Sequence, residues 1–155
     1  MNDSAVCASF ARDADVDCVL PAGWYSLLEQ GALDTFLPLA ASRGIGVMLG
    51  GVFSSGILAT GAQPGAHYNY QPATADVLQR VARIESLCTA HAVALAHAAV
   101  RFPLAHPGVA SVVVGAVTAA EVERNIAAFS TPVPAAFWNA LASRGLLRSD
   151  APLPA

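Results

Sequence analysis

The chain has 155 residues, 55% of them hydrophobic and only 12% charged, with a formal net charge of -3. That is room for one domain with a real core and no basic block of the kind a polyanion needs, so nucleic acid is excluded as an expected partner. No apolar run reaches membrane-spanning length and the start, MNDSAVCASFARDADVD, has no basic region ahead of an apolar one, so a cytoplasmic protein is expected.

In chain order, residues 4–12 read as a short helix with Asp3 or Ser4 as N-cap. Residues 17–22 (DCVLPA) form a short buried strand that breaks at Pro21. Residues 33–43 look helical despite Pro38 and close at Gly44, a residue suited to a C-cap. Residues 45–52 (IGVMLGGV) are a continuous apolar strand ending in paired glycines. Residues 53–72 are rich in Gly, Ser, Pro, Asn and aromatics and read as a long loop. Thr74 then caps a long helix with Val77, Leu78, Val81, Ile84, Leu87 and Cys88 at helical spacing. A second helix over 95–102 stops at Pro103, and 110–116 (ASVVVGA) is the third strand. Thr118 caps the helix that holds Val122 and Ile126, and Pro132 and Pro134 introduce a last helix around 137–141.

Strands that read as unbroken apolar runs are covered on both faces, and strands alternating with helices imply a parallel sheet in an α/β fold. Yet the chain supplies only three full strands, plus the stub MN at its start. A complete eightfold barrel typically needs about 250 residues. The chain looks like half of something.

Three stretches carry a family resemblance. GWYSLLEQ (23–30) is similar to a Q-x-x-Y-S-L-L pattern, GIGVMLGGVFSSGILATG (44–61) to GIGVIAYSPLAGGLL, and VVVGAVTAAEVERN (112–125) to IPGATTPEQLEEN. In this order and spacing they resemble the aldo-keto reductases, barrel enzymes that use a nicotinamide cofactor. PAGWYSLLEQ, GGVFSSGILA and HYNYQPA point to the branch containing L-fucose dehydrogenase and D-threo-aldose 1-dehydrogenase. The resemblance implies the C-terminal half of a (β/α)8 TIM barrel: strands six to eight, a stub of strand five and the C-terminal helix. Residues 1–155 would form one partial domain, with 53–72 as the loop near the cofactor and 130–155 as the C-terminal helix and tail.

By the same resemblance the implied reaction is hydride transfer from C1 of an aldose to NAD(P), giving a lactone. The family's catalytic Asp, Tyr, Lys and His come from the first four strands, so no catalytic residue is assigned here. All eight basic residues are arginine, which independently rules out a local lysine.

The cofactor half of the site is what remains. Asn2 matches an Asn that holds the nicotinamide carboxamide, or is simply part of a loose terminus. Ala22 stands where the family has a carboxamide-binding Gln, and Gly50 where it has a stacking Tyr. Trp24 or Phe53 either supplies an aromatic face instead or packs in the core. Gly51, Phe53, Ser54, Ser55 and Gly56 match the loop that wraps the pyrophosphate, where glycine lets backbone approach an anion. Gly115, Ala116, Val117 and Thr118 match the loop at the adenosine phosphate, at a helix N-terminus that favours anions. Asn125 matches the residue that reads the adenine edge.

Glu121 occupies a place where relatives that use NADP often have Arg, with Arg124 a turn away. NAD is therefore the expected cofactor, with NADP an alternative. The bland alternative for 115–125 is a capped surface helix. His67, Tyr68 and Tyr70 match the loop that approaches the sugar in this branch, as lid or as plain loop packing.

Other patterns lead nowhere. DADVD (13–17) starts like a calcium loop, but Cys18 replaces the required Gly and Trp24 the closing Glu. His91 and His97 lack metal-helix spacing, so no metal site is expected. Cys7, Cys18 and Cys88 read as buried free thiols. Two rival readings stay open: a non-catalytic product or binding module that keeps the nucleotide-facing surface, and an unrelated small α/β interaction protein. Self-association, or a partner chain supplying the first four strands, is open as well.

Overall fold

Pro21 and Pro38 decide where the first part of the chain changes conformation. The computed structural model describes residues 4–154, so Asp3 and Asn2 lie outside the described residues. Helix α1 (Ser4–Asp13) leads into β1, which is Cys18–Val19 alone rather than 17–22. Pro21 has no N–H to give to a ladder. Pairing resumes beyond it: Gly50 N donates to Pro21 O at 2.9 Å, Gly23 N donates to Gly50 O at 3.0 Å, and Ala22 bridges Gly50. The expected helix over 33–43 is a 3-10 turn, Gly31–Leu33, then α2 (Phe36–Arg43). A helix begun at 33 would place Pro38 in its interior. Starting at Phe36 puts the proline in the first turn, where its missing N–H has no intrahelical partner to lose. Gly44 closes α2 in the left-handed conformation (φ 68°), as expected of a C-cap.

Strand β2 (Gly46–Gly50) lies between β1 and β5 (Val109–Val113), all parallel. The register shifts after Val47↔Val109, so that Met48 pairs with Ser111, a bulge at Ala110. The connection 53–72 is not the structureless loop expected from its composition. It holds a short helix, α3 (Ile57–Thr60), and an antiparallel hairpin of β3 (His67–Tyr68) and β4 (Gln71–Pro72). Asn69 and Tyr70 at the hairpin tip both have positive φ, at 49° and 63°. That pair of left-handed residues is the backbone of a type I′ turn, here without the usual glycine.

The second half follows the expected order. Helix α4 (Ala75–Ala90) starts at Thr74, whose Oγ1 accepts from Val77 N at 3.4 Å, and it buries Val81, Ile84, Leu87 and Cys88. Burial pushes the Cys88 thiol up to about 11. Then come α5 (Leu95–Arg101), α6 (Ala119–Ser130) and α7 (Ala135–Ser143), the last burying Phe137, Trp138 and Leu141.

The core sits on one face of the sheet, where Val47 and Leu49 are buried and Val112 packs against them. The opposite face is open: Leu20 and Val113 are each 46% exposed. Cys18, expected to be buried, is exposed here, because position 18 alternates to the uncovered side of β1; Cys7 and Cys88 are buried. Among the described residues no single helix is long and apolar enough to cross a membrane.

Candidate functional site

Two clefts open near the segments that follow the strands. The inner one, about 550 Å³, lies between the turn after β1, the turn after β2 and the hairpin tip. The outer one, about 460 Å³, lies between α3, α5 and the start of α6.

The inner cleft owes its shape to a tightly bonded turn over residues 22–35. Ser26 is fully buried, and its Oγ accepts from Leu28 N at 3.2 Å and Glu29 N at 3.1 Å. Gln30 donates to the carbonyls of Ser26 and Leu27 and accepts from Arg148 N at 2.8 Å, which ties the turn to the C-terminal tail. Arg80 of α4 donates to Leu28 O at 2.9 Å and to Leu146 O at 3.1 Å. Ser26, Gln30 and Arg80 thus find partners within this network, whereas the Tyr25 hydroxyl in the same turn is buried without one. Trp24 projects to the cleft wall with an edge contact to Phe36 (centroids 5.5 Å apart).

Across the cleft, Gly51 is irreplaceable on two counts. Its φ is 70°, and a Cβ there would lie 3.0 Å from Gly23 N. Ser54 and Ser55 follow, also left-handed at φ 49° and 61°; Ser55 Oγ accepts from Tyr70 N at 3.0 Å, fixing the hairpin tip to the turn. Tyr68 on β3 donates its hydroxyl to Glu29 Oε1. Burial first, and then this bond, holds the Tyr68 phenol well above its usual value, so it remains a donor.

The outer cleft gathers residues that lie far apart in the chain. Phe53 and Thr60 meet His97 of α5 and Gly115, Glu121, Arg124 and Asn125. The start of α6 is capped reciprocally: Thr118 Oγ1 accepts from Glu121 N at 3.2 Å, and Glu121 Oε2 accepts from Val117 N at 2.7 Å. Asn125 Nδ2 donates to Gly115 O at 3.3 Å, tying the end of the strand to the helix.

The structure thus brings Gly51, Ser54, Ser55, Trp24 and Tyr70 to one cleft and Phe53, Gly115, Glu121, Arg124 and Asn125 to the other. Gly50 is buried under Leu20 and Ala22 and, like Gly56, Ala116, Val117, Thr118 and His67, lines neither. Tyr68 acts on the inner cleft through Glu29. Sequence reasoning missed Glu29, Thr35 and Asn69 in the inner cleft and His97 in the outer. The one available signal for Glu29 was a carboxylate closing an otherwise apolar run, YSLLE.

Residues 2–144 match the family described as "Aldo/keto reductase family". The chain belongs to this family. It is 37% identical to a pyridoxal 4-dehydrogenase from Microbacterium luteolum over 147 residues, which are 95% of this chain and 43% of the relative. It is also 37% identical to a D-threo-aldose 1-dehydrogenase from a Pseudomonas species over 138 residues, 88% of this chain and 42% of that one. Among solved structures it is similar to the aldo-keto reductase AKR11C1 from Bacillus halodurans. The apo form gives a TM-score of 0.70 at 25% identity, over 96% of this chain and 49% of that chain. The holo form gives 0.71 at 24% identity, over 96% and 48%. The chain therefore spans a little under half the length of each of these aldo-keto reductases, and it adopts the fold of about half of the family's TIM barrel.

Proposed function

We propose that this chain is the C-terminal, nucleotide-facing part of an aldo-keto reductase, carrying strands six to eight in β1, β2 and β5. The observation that carries this is the outer cleft. Phe53, Gly115, Glu121 and Asn125, which resemble the family's cofactor-facing positions, line this cleft together with the cationic Arg124. The N-terminus of a helix attracts negative charge, and at α6 the Thr118 and Glu121 caps take up Glu121 N and Val117 N, which leaves the N–H groups of Ala119 and Ala120 for a dinucleotide phosphate. Gly51 and its neighbours form a close-approach turn of the kind a pyrophosphate takes. Glu121 on the same wall would repel a 2′-phosphate and accept from a free 2′-hydroxyl, so NAD is preferred over NADP.

The reaction proposed for the whole enzyme oxidises a hydroxylated aldehyde in its cyclic form, an aldose such as L-fucose being the first candidate. A bound nicotinamide would supply the acceptor for the hydride lost from C1 as the C1 hydroxyl gives up its proton and the sugar becomes a lactone; this chain's residues would bind and orient the cofactor. Gly50 leaves no aromatic face at its position, and Trp24 on the inner cleft takes that part. The protein is proposed to be cytoplasmic, with its missing strands supplied by further sequence, by a partner chain or by self-association across the open sheet face.

Titration of the chain with NAD and then NADP tests the proposal. Saturable binding with NAD tighter is expected; equal or better NADP binding contradicts the cofactor assignment, and no binding of either contradicts the proposal itself. Oxidation of L-fucose by this lysine-free chain alone should be undetectable, since loss of a cooperative catalytic set costs several orders of magnitude. The second reading, a non-catalytic nucleotide-binding module, predicts the same binding but no gain of turnover when the missing half is added.

A further inference from the structure

The outer cleft holds three ionisable side chains, Glu121 and Arg124 of α6 and His97 of α5. Glu121 and Arg124 resemble positions at the 2′ end of the adenosine ribose, whereas no motif pointed to His97. It reaches the same cleft because α5 packs against α6.

The polar groups of this cleft differ in what they already hold. Glu121 Oε2 accepts from Val117 N at 2.7 Å, which keeps the carboxylate at the start of α6. Asn125 spends Nδ2 on Gly115 O, and Thr60 gives its hydroxyl hydrogen to Gly56 O. Among the described residues, Arg124 and His97 make no side-chain hydrogen bond or ion pair within the chain. Each therefore keeps its donors for a ligand.

Glu121 and Arg124 are opposite unit charges three residues apart, and they largely cancel for a third charge held in the cleft. His97 is then the group that sets the sign of the wall. Histidine is the side chain whose charge ordinarily changes between about pH 5 and 8. Other charges on the elements around it are committed or lie elsewhere. Arg101 of α5 donates to Phe129 O, and Glu85 of α4 accepts from Ala62 N. Arg80 and Arg83 of α4 donate to the carbonyls of Leu28 and Arg144. Asp76 and Glu123 do not line the cleft, α3 brings no charged residue, and His106 accepts from Gly108 N beside Tyr25. A sphere of about 460 Å³ is about 10 Å across, comparable with the screening length in physiological salt, so a charge on His97 acts on a phosphate held there.

We propose that His97 makes the nucleotide preference of this chain depend on pH, the margin of NAD over NADP narrowing as His97 gains a proton beside the 2′-phosphate. This rests on the outer cleft holding the adenosine end of a nucleotide. A bound 2′-phosphate favours the cationic form of His97, so NADP takes up a proton on binding and its affinity falls as pH rises. NAD has an uncharged 2′-hydroxyl at that place and lacks this linkage. Glu121 keeps NAD the tighter ligand throughout.

The test is calorimetric titration of the chain with NAD and with NADP at about pH 8 and about pH 6.5, where a phosphate monoester keeps most of its second charge. The ratio of the two Kd values cancels whatever both nucleotides share. In the native chain the ratio of NADP to NAD should fall by about threefold or more on acidification. His97→Gln keeps a hydrogen-bonding side chain without the charge and should leave the ratio unchanged with pH. His97→Lys fixes the cation and should hold the ratio low at both pH values. In the native chain alone, the dependence of binding heat on buffer ionisation should show more proton uptake with NADP than with NAD. A native ratio that does not respond to pH, a response kept in His97→Gln, or equal proton uptake with both nucleotides overturns the proposal and leaves the nucleotide assignment standing. Absence of binding of either nucleotide by the native chain instead identifies that assignment as what failed, and removes this proposal with it.

Discussion

The inner cleft is built from strained backbone and buried polar bonds, the outer cleft from a helix that is barely buried. Five non-glycine residues have positive φ among those described, and four of them, Ser54, Ser55, Asn69 and Tyr70, line the inner cleft. Each such residue costs about 1 kcal/mol or more relative to an unstrained one, and persists only where surrounding structure over-determines it. Here the Ser26–Ser54 pair, the Ser55–Tyr70 bond and the Tyr68–Glu29 bond do so. Helix α6 is the opposite case: Ala128 is its one buried residue, and its N-terminus is shaped by the Thr118–Glu121 caps. A rigid cleft holds its donors and acceptors in fixed places before a ligand arrives. An exposed helix end, accessible to solvent and with Arg124 one turn further along, suits a long charged ligand that lies along the surface.

The sharpest way to break this contrast is Arg124→Ala. Hydrogen bonds to charged groups contribute about 1.5–3 kcal/mol, so dinucleotide affinity should fall by about tenfold or more while fucose binding stays unchanged. Calorimetric titration of both ligands against the variant checks it; a parallel loss of both would mean the clefts are not independent. Ser26→Ala should do the reverse. It strands the buried N–H of Leu28 and the part-buried N–H of Glu29, costs about 1–3 kcal/mol in denaturant unfolding, and weakens inner-cleft binding more than binding in the outer cleft.

Thr118→Ala removes a helix cap at a cost of about 1 kcal/mol, and that cost should be read as weaker nucleotide binding more than as lower stability, since so little of α6 packs on the core. The smallest effect is a gain. Tyr70, 83% exposed in the left-handed region, stands where a type I′ turn takes glycine. Tyr70→Gly should stabilise the fold by about 0.5–1 kcal/mol and weaken inner-cleft ligands. A variant that is both less stable and unimpaired in binding would show that the hairpin tip carries no functional strain.

Residues with a local mechanism were legible in the sequence. Gly44 as C-cap, Thr74 and Thr118 as N-caps, and the apolar runs of β2 and β5 all act within a few positions of themselves. The hairpin inside 53–72 was not, because its strands are two residues long and its turn, Asn69–Tyr70, lacks the glycine that normally announces one. The pattern 33–43 places Pro38 inside a helix, whereas α2 begins at Phe36 with Pro38 in its first turn. For the site, resemblance brought forward the glycines and serines after β2 and the stretch 115–125. Glu29 escaped because its importance comes from Tyr68, 39 residues away, which leaves no trace in local sequence.

The central claim, that a nucleotide lies in the outer cleft and over the turn after β2, is tested most directly by amide chemical shifts of the isotopically labelled chain during titration with NAD. The account predicts saturable shifts that cluster at residues 51–56 and 115–125, with the turn over residues 26–30 less affected. Shifts confined to the open sheet face around Cys18 and Val113, or no saturable shifts at all, would contradict it.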